Sequence, residues 1–90
     1  MKRYQLIVKG KVQGVGFRAY TQQKAAQHEL SGYVMNHMDG SVEIEAQGED
    51  STLERFVSTI KEGSPYSSVD EIKTQEKEVQ DNERSFSIRY

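Results

Sequence analysis

Residues 31–48 read SGYVMNHMDGSVEIEAQG, two strand-like runs separated by Asp39-Gly40. Glycine reaches positive φ without a Cβ clash and aspartate hydrogen-bonds its own backbone two residues on, so this dipeptide predicts a tight turn. After it, Val42, Ile44 and Ala46 alternate with Ser41, Glu43, Glu45 and Gln47. A period of two predicts a strand with one apolar and one wet face. Before the turn, Asn36 falls on the parity of Val34 and opposite to Tyr33 and Met35. The stretch is a hairpin. In the middle of a short chain it rules out a doubly wound parallel sheet.

Working outward, Leu53, Phe56, Val57 and Ile60 form a complete core-facing helical stripe. Ser51 with Glu54 fits a capping box at its start, and Gly63 and Pro65 stop it. Extended segments follow around residues 69–75 and in RSFSIRY, where Phe86, Ile88 and Tyr90 alternate. Upstream of the hairpin, residues 18–30 contain no proline or glycine and predict a helix with a thin apolar face of Ala19, Ala26 and Leu30, helped by Tyr20. The opening run places Tyr4, Leu6 and Val8 on one side of a strand and Ile7 on the other. The order is β-α-β-β-α-β plus a short extra C-terminal strand. It predicts an α+β, ferredoxin-like sandwich, an antiparallel sheet with two helices on one face, as a single domain over residues 1–90. That fold hosts many chemistries and selects none.

Ninety residues support one modest core. The absence of cysteine excludes disulfides, thiolate metal sites and a cysteine nucleophile, and suits a reducing, cytoplasmic setting. No apolar run approaches a membrane span, and the N-terminal apolar stretch is too short for a signal peptide. A net charge of −2 argues against a general nucleic-acid binder. The charge is nonetheless segregated, +5 over residues 1–38 and −7 over residues 39–90. Either the faces simply differ, or the first third attracts a small anion. The expected state is a monomer with no nucleic-acid or membrane partner.

Between the first strand and first helix stands GKVQGVGFRAY, residues 10–20. A Walker loop fails, because position 15 is valine and no Lys-Ser or Lys-Thr follows. The run from Gly14 to Ala19 matches a dinucleotide fingerprint but lacks the parallel sheet it needs. An RNA-recognition module carries its aromatic motif on the third strand, where this chain has SVEIEAQ. A plain connection stays open, as for any loop. An anion cradle has the stronger physical case: glycines let successive N–H groups point inward, and the loop feeds the positive end of a helix. Arg18 is unfavourable at that end unless it meets a bound phosphate through its planar fork; its ordinary alternative is a surface salt bridge. Asn36 has an alternative too, as a residue capping its own hairpin. His28 and His37 read as structural or solvated, and Glu43 with Glu45 as a wet surface.

These residues resemble the acylphosphatases. The family's loop motif G-x-V-Q-G-V-x-F-R appears as Gly10-Lys11-Val12-Gln13-Gly14-Val15-Gly16-Phe17-Arg18. Its second motif appears as Gly32-Tyr33-Val34-Met35-Asn36-His37-Met38-Asp39-Gly40-Ser41-Val42, closing at Gly48. The resemblance implies hydrolysis of small-molecule acyl phosphates to carboxylate and inorganic phosphate, with no metal and no cofactor. It implies that the backbone N–H groups of Gln13, Gly14, Val15, Gly16, Phe17 and Arg18, with the Arg18 guanidinium, hold the phosphoryl group. It further implies that Asn36 positions the attacking water and that the Tyr90 carboxylate can lie near Arg18. A module that only senses a phosphorylated ligand would keep the loop and Arg18 but has no use for Asn36.

Overall fold

Alternating side chains on the strands set one apolar layer. Leu6 and Val8, then Val34, then Val42, Ile44 and Ala46 all turn to the same side and are essentially inaccessible. In the computed structural model, which describes residues 1–90, they belong to β1 (Lys2–Lys11), β2 (Ser31–Asn36) and β3 (Val42–Gly48). Two helices, α1 (Phe17–Gln27) and α2 (Asp50–Glu62), cover this side, and β4 (Ser68–Lys77) and β5 (Phe86–Arg89) complete the sheet. The strand order is β4-β1-β3-β2-β5. The ferredoxin-like α+β sandwich expected from the element order is the fold observed, with one exception to its antiparallel pairing. β5 joins β2 in parallel, with Val34 opposite Ile88 and Met35 opposite Arg89.

The central hairpin forms as its turn signal predicts. Asn36 pairs with Val42 across it, and His37 N–H donates to the Ser41 carbonyl at 2.9 Å. In α2 the stripe is seated as expected: Leu53, Phe56 and Ile60 are fully buried, and Phe56 meets Phe86 edge-on at 6.3 Å. Truncating a phenylalanine so placed costs about 4 kcal/mol. The capping box is not formed. The N-cap is Glu49, without a side-chain cap, and Ser51 Oγ donates instead to the Glu49 carboxylate.

The first helix presents a different face from the expected one. Phe17, Thr21 and Ala25, spaced one turn apart, are buried, whereas Ala19 and Ala26 are exposed. Phe17 enters the core from the first helical position and so rotates the helix toward it. Leu30, just beyond the end of α1, is buried as expected.

The sheet face opposite the helices is wet only in part: Lys73 and Gln75 of β4 are exposed, but the β1–β3 centre is covered. Glu45 and Gln47 are buried, and Arg3 is only 1% exposed. Arg3 Nε donates to Glu45 at 2.6 Å and Nη1 to Glu83 at 2.7 Å, across 80 residues of sequence. Gln47 exchanges two hydrogen bonds with the Gln80 backbone. Long polar side chains and the segment joining β4 to β5 thus cover one another, satisfying their hydrogen bonds as burial requires. Tyr33 continues the network, its one hydroxyl hydrogen shared between Glu45 at 2.7 Å and Glu43, and His37 Nε2 meets Glu43 at 2.7 Å.

Burial pushes the Glu43 and Glu45 carboxyls up, but hydrogen bonds from Tyr33, His37 and Gln5 to the first, and from Arg3 and Tyr33 to the second, outweigh it. Both are held below their ordinary value of 4.5. The folded state therefore binds fewer protons than the unfolded chain in acid. This stabilisation is fully present above pH 4.5 and is lost as pH falls through the lowered folded values. Urea unfolding followed from neutral to acid pH should show that decline. Arg3→Ala, which strands two carboxylates, should lower the unfolding free energy by about 3 kcal/mol at neutral pH.

Candidate active site

Val12 and Phe17 are each 1% exposed, and Val15 packs partly against the core. These apolar side chains pin a short loop between β1 and α1, leaving its main chain at the surface. Gly14 and Gly16 hold φ of 74° and 77°. A Cβ at either would meet nothing within 4 Å, so glycine is required for backbone conformation rather than for space.

The N–H groups of Gln13, Gly14, Val15, Gly16, Phe17 and Arg18 donate to no acceptor in the protein. The first helical hydrogen bond runs from Tyr20 N–H to the Gly16 carbonyl. Free amides at a helix start are ordinary; a row of them running back through a loop with two left-handed glycines leaves a run of donors open to a ligand. The first turn of α1 contains no acidic residue to compete.

The Gln13 side chain ties this loop to the hairpin. Its Nε2 donates to the carbonyls of His37 at 2.7 Å and Ser41 at 2.9 Å. Asn36, the last residue of β2, lies next to His37 on the helix-covered face shared with Val34. Its side-chain oxygen is buried without a hydrogen-bond partner. Asn36 therefore does not cap the turn. Asp39 does, accepting from Ser41 N–H at 2.9 Å and Ser41 Oγ at 2.6 Å.

Arg18 makes no ion pair with any carboxylate. Its Nη1 donates weakly to the Arg89 carbonyl at 3.4 Å, and its guanidinium lies 4.7 Å from the centre of the Tyr90 ring. The contact with Tyr90 is thus through the ring and not the terminal carboxylate. Because Arg89 pairs with Met35, this perch stands at the sheet end where Asn36 terminates β2. Loop, arginine and asparagine are brought to one end of the molecule.

Three supporting contacts lie beyond the residues singled out in the sequence. They are the Gln13 side chain, the Arg89 carbonyl, and Arg89's own guanidinium, which stacks 3.8 Å over Tyr33. His37 is structural, bound to Glu43, and Glu43 with Glu45 belong to the covered polar network rather than a wet surface. No group of three or more His, Asp or Glu side chains is arranged to hold a metal. The largest cavity, ≈ 670 Å³ between α1 and the start of β5, contains neither the loop nor Asn36.

The acylphosphatase family model matches residues 4–88. The chain belongs to the acylphosphatase family. It is 44% identical to the acylphosphatase of Bacillus licheniformis, covering all of both chains, and 46% identical over 90 residues to that of Clostridium beijerinckii, again covering both in full. The crystal structure of the Bacillus subtilis acylphosphatase superposes with a TM-score of 0.95 at 44% identity, covering both chains completely. As a family member the chain is a hydrolase acting on acid anhydrides. No helix is long and apolar enough to cross a membrane.

Amide hydrogen exchange checks the loop directly. In ligand-free protein the amides of residues 13–18 should exchange at nearly unprotected rates, while the β1 and β3 ladders show protection approaching the global stability. Strong protection of the loop amides would mean that they are paired internally.

Proposed function

We propose that the chain hydrolyses acyl phosphates without a metal. The amides of Gln13, Gly14, Val15, Gly16, Phe17 and Arg18 hold the phosphoryl oxygens, and Asn36 aims the water. The observation that carries this reading is the row of unpaired amides through the glycine loop, at the sheet end where a buried asparagine oxygen also lacks a partner.

The chemistry asks little else of the protein. Phosphoryl transfer passes through a loose transition state, so positioning and charge stabilisation dominate. Fixed backbone N–H groups need no reorganisation as charge shifts onto the phosphoryl oxygens, and the Arg18 guanidinium matches two of them at once. The leaving group is a carboxylate, weakly basic enough to depart without a strong general acid. The Asn36 side-chain amide hydrogen-bonds the water and turns its oxygen lone pair toward phosphorus. The water oxygen bonds to phosphorus as the bond from phosphorus to the acyl oxygen breaks. The water proton passes to a phosphoryl oxygen, giving carboxylate and monobasic phosphate.

Phosphate release from acetyl phosphate and benzoyl phosphate, with EDTA present and a phosphate monoester as control, tests the reaction; EDTA should leave the rate unchanged. Arg18→Ala should lower kcat/KM by about 10³ and abolish binding of inorganic phosphate. Asn36→Ala should lower kcat by about 10² while changing phosphate affinity little, because no water is aimed in that complex. Wild-type turnover in Asn36→Ala would remove the role assigned to it.

A further inference from the structure

A groove of ≈ 620 Å³ opens on the other side of the loop, lined by Lys11, Gly14, Val15, Pro65, Tyr66 and two serines. Its size suits a small organic group. Tyr66 is 77% exposed, and no fold contact explains an aromatic ring there. The rim is nevertheless built. Ser64 N–H donates to Ser67 Oγ at 2.7 Å and Ser67 N–H to the Ser64 carbonyl at 3.1 Å, closing a tight turn around Tyr66. Ser68 then pairs with Lys11, which fixes that turn beside the start of the loop.

Topology gives the groove a direction. β4 flanks β1 on one side, while β3, β2 and β5 lie on the other. Asn36 and the Arg18 perch approach the loop from the β2–β5 side, and residues 65–68 from the β4 side. In an in-line displacement the attacking and leaving oxygens stand on opposite sides of phosphorus. Water aimed from Asn36 therefore sends the acyl oxygen toward the groove.

We propose that this groove is the acyl subsite, that the substrate's acyl group packs against the Tyr66 ring, and that aromatic acyl phosphates are preferred to acetyl phosphate. The proposal rests on the phosphoryl group occupying the loop as described above. Val15 and Pro65 supply further apolar surface, and Lys11 places a cation where the carboxylate departs.

Binding of the non-hydrolysable benzoylphosphonate and acetylphosphonate, followed by NMR and calorimetry, separates the two readings. Benzoylphosphonate should bind about fivefold more tightly and shift the amides of Tyr66 and Ser68 as well as those of residues 13–18. Tyr66→Ala should bring the two affinities together, and Tyr66→Phe, which keeps the ring, should retain the difference. Equal affinities in the wild type, or a preference that survives Tyr66→Ala, would overturn the subsite. A benzoyl preference in a protein that fails to hydrolyse benzoyl phosphate would overturn the proposed function and leave the subsite standing. If neither phosphonate perturbs residues 13–18, both readings fall.

Discussion

One side-chain amide joins the two halves of the site. Gln13 Nε2 donates both of its hydrogens to carbonyls at the mouth of the central hairpin, those of His37 and Ser41. Without that tether a loop with two left-handed glycines has few reasons to keep one conformation, since each glycine enlarges the ensemble it must abandon on folding. With it, a main chain whose own N–H groups are uncommitted is held against the strand that ends in Asn36. The apolar anchors Val12, Val15 and Phe17 fix the loop from beneath, and the glutamine fixes it from the side. Order is thus imposed on the backbone without consuming its donors.

The sheet's two faces divide the labour. The helix-covered face supplies the core, and the opposite face supplies a connected set of charged and polar groups from Arg3 to His37. Arg89 stacks on Tyr33 of that set while its carbonyl receives Arg18, and His37 of that set receives Gln13. The elements carrying the arginine and the asparagine are therefore braced by residues on the far side of the sheet. Burial of such groups stabilises only when every partner is present, because an orphaned charge in a covered position costs several kcal/mol.

The hairpin, the stripe of α2 and the element order were legible because each is read from patterns local in sequence. The rest required partners that no local pattern reveals. Phe17 reads as a loop residue until the loop is folded, and only then does it rotate α1 to bury Thr21 and Ala25 in place of Ala19 and Ala26. Glu43 and Glu45 read as solvent-facing because their covering partners Arg3 and Tyr33 lie on other strands. In the site the glycines, Arg18 and Asn36 stood out as residue types suited to an anion. The side chain of Gln13 and the carbonyl of Arg89 did not, since their roles exist only across separations of 24 and 71 residues.

The perch of Arg18 has a consequence for biosynthesis. Its acceptor is the carbonyl of Arg89 in β5, a strand that inserts beside β2, laid down some fifty residues earlier. A ribosome-bound chain can complete the loop and the hairpin while the arginine still swings free. The Arg18 side chain gains this support only once β5 has docked beside β2, so the order of the sheet edge and the placing of the arginine are one event.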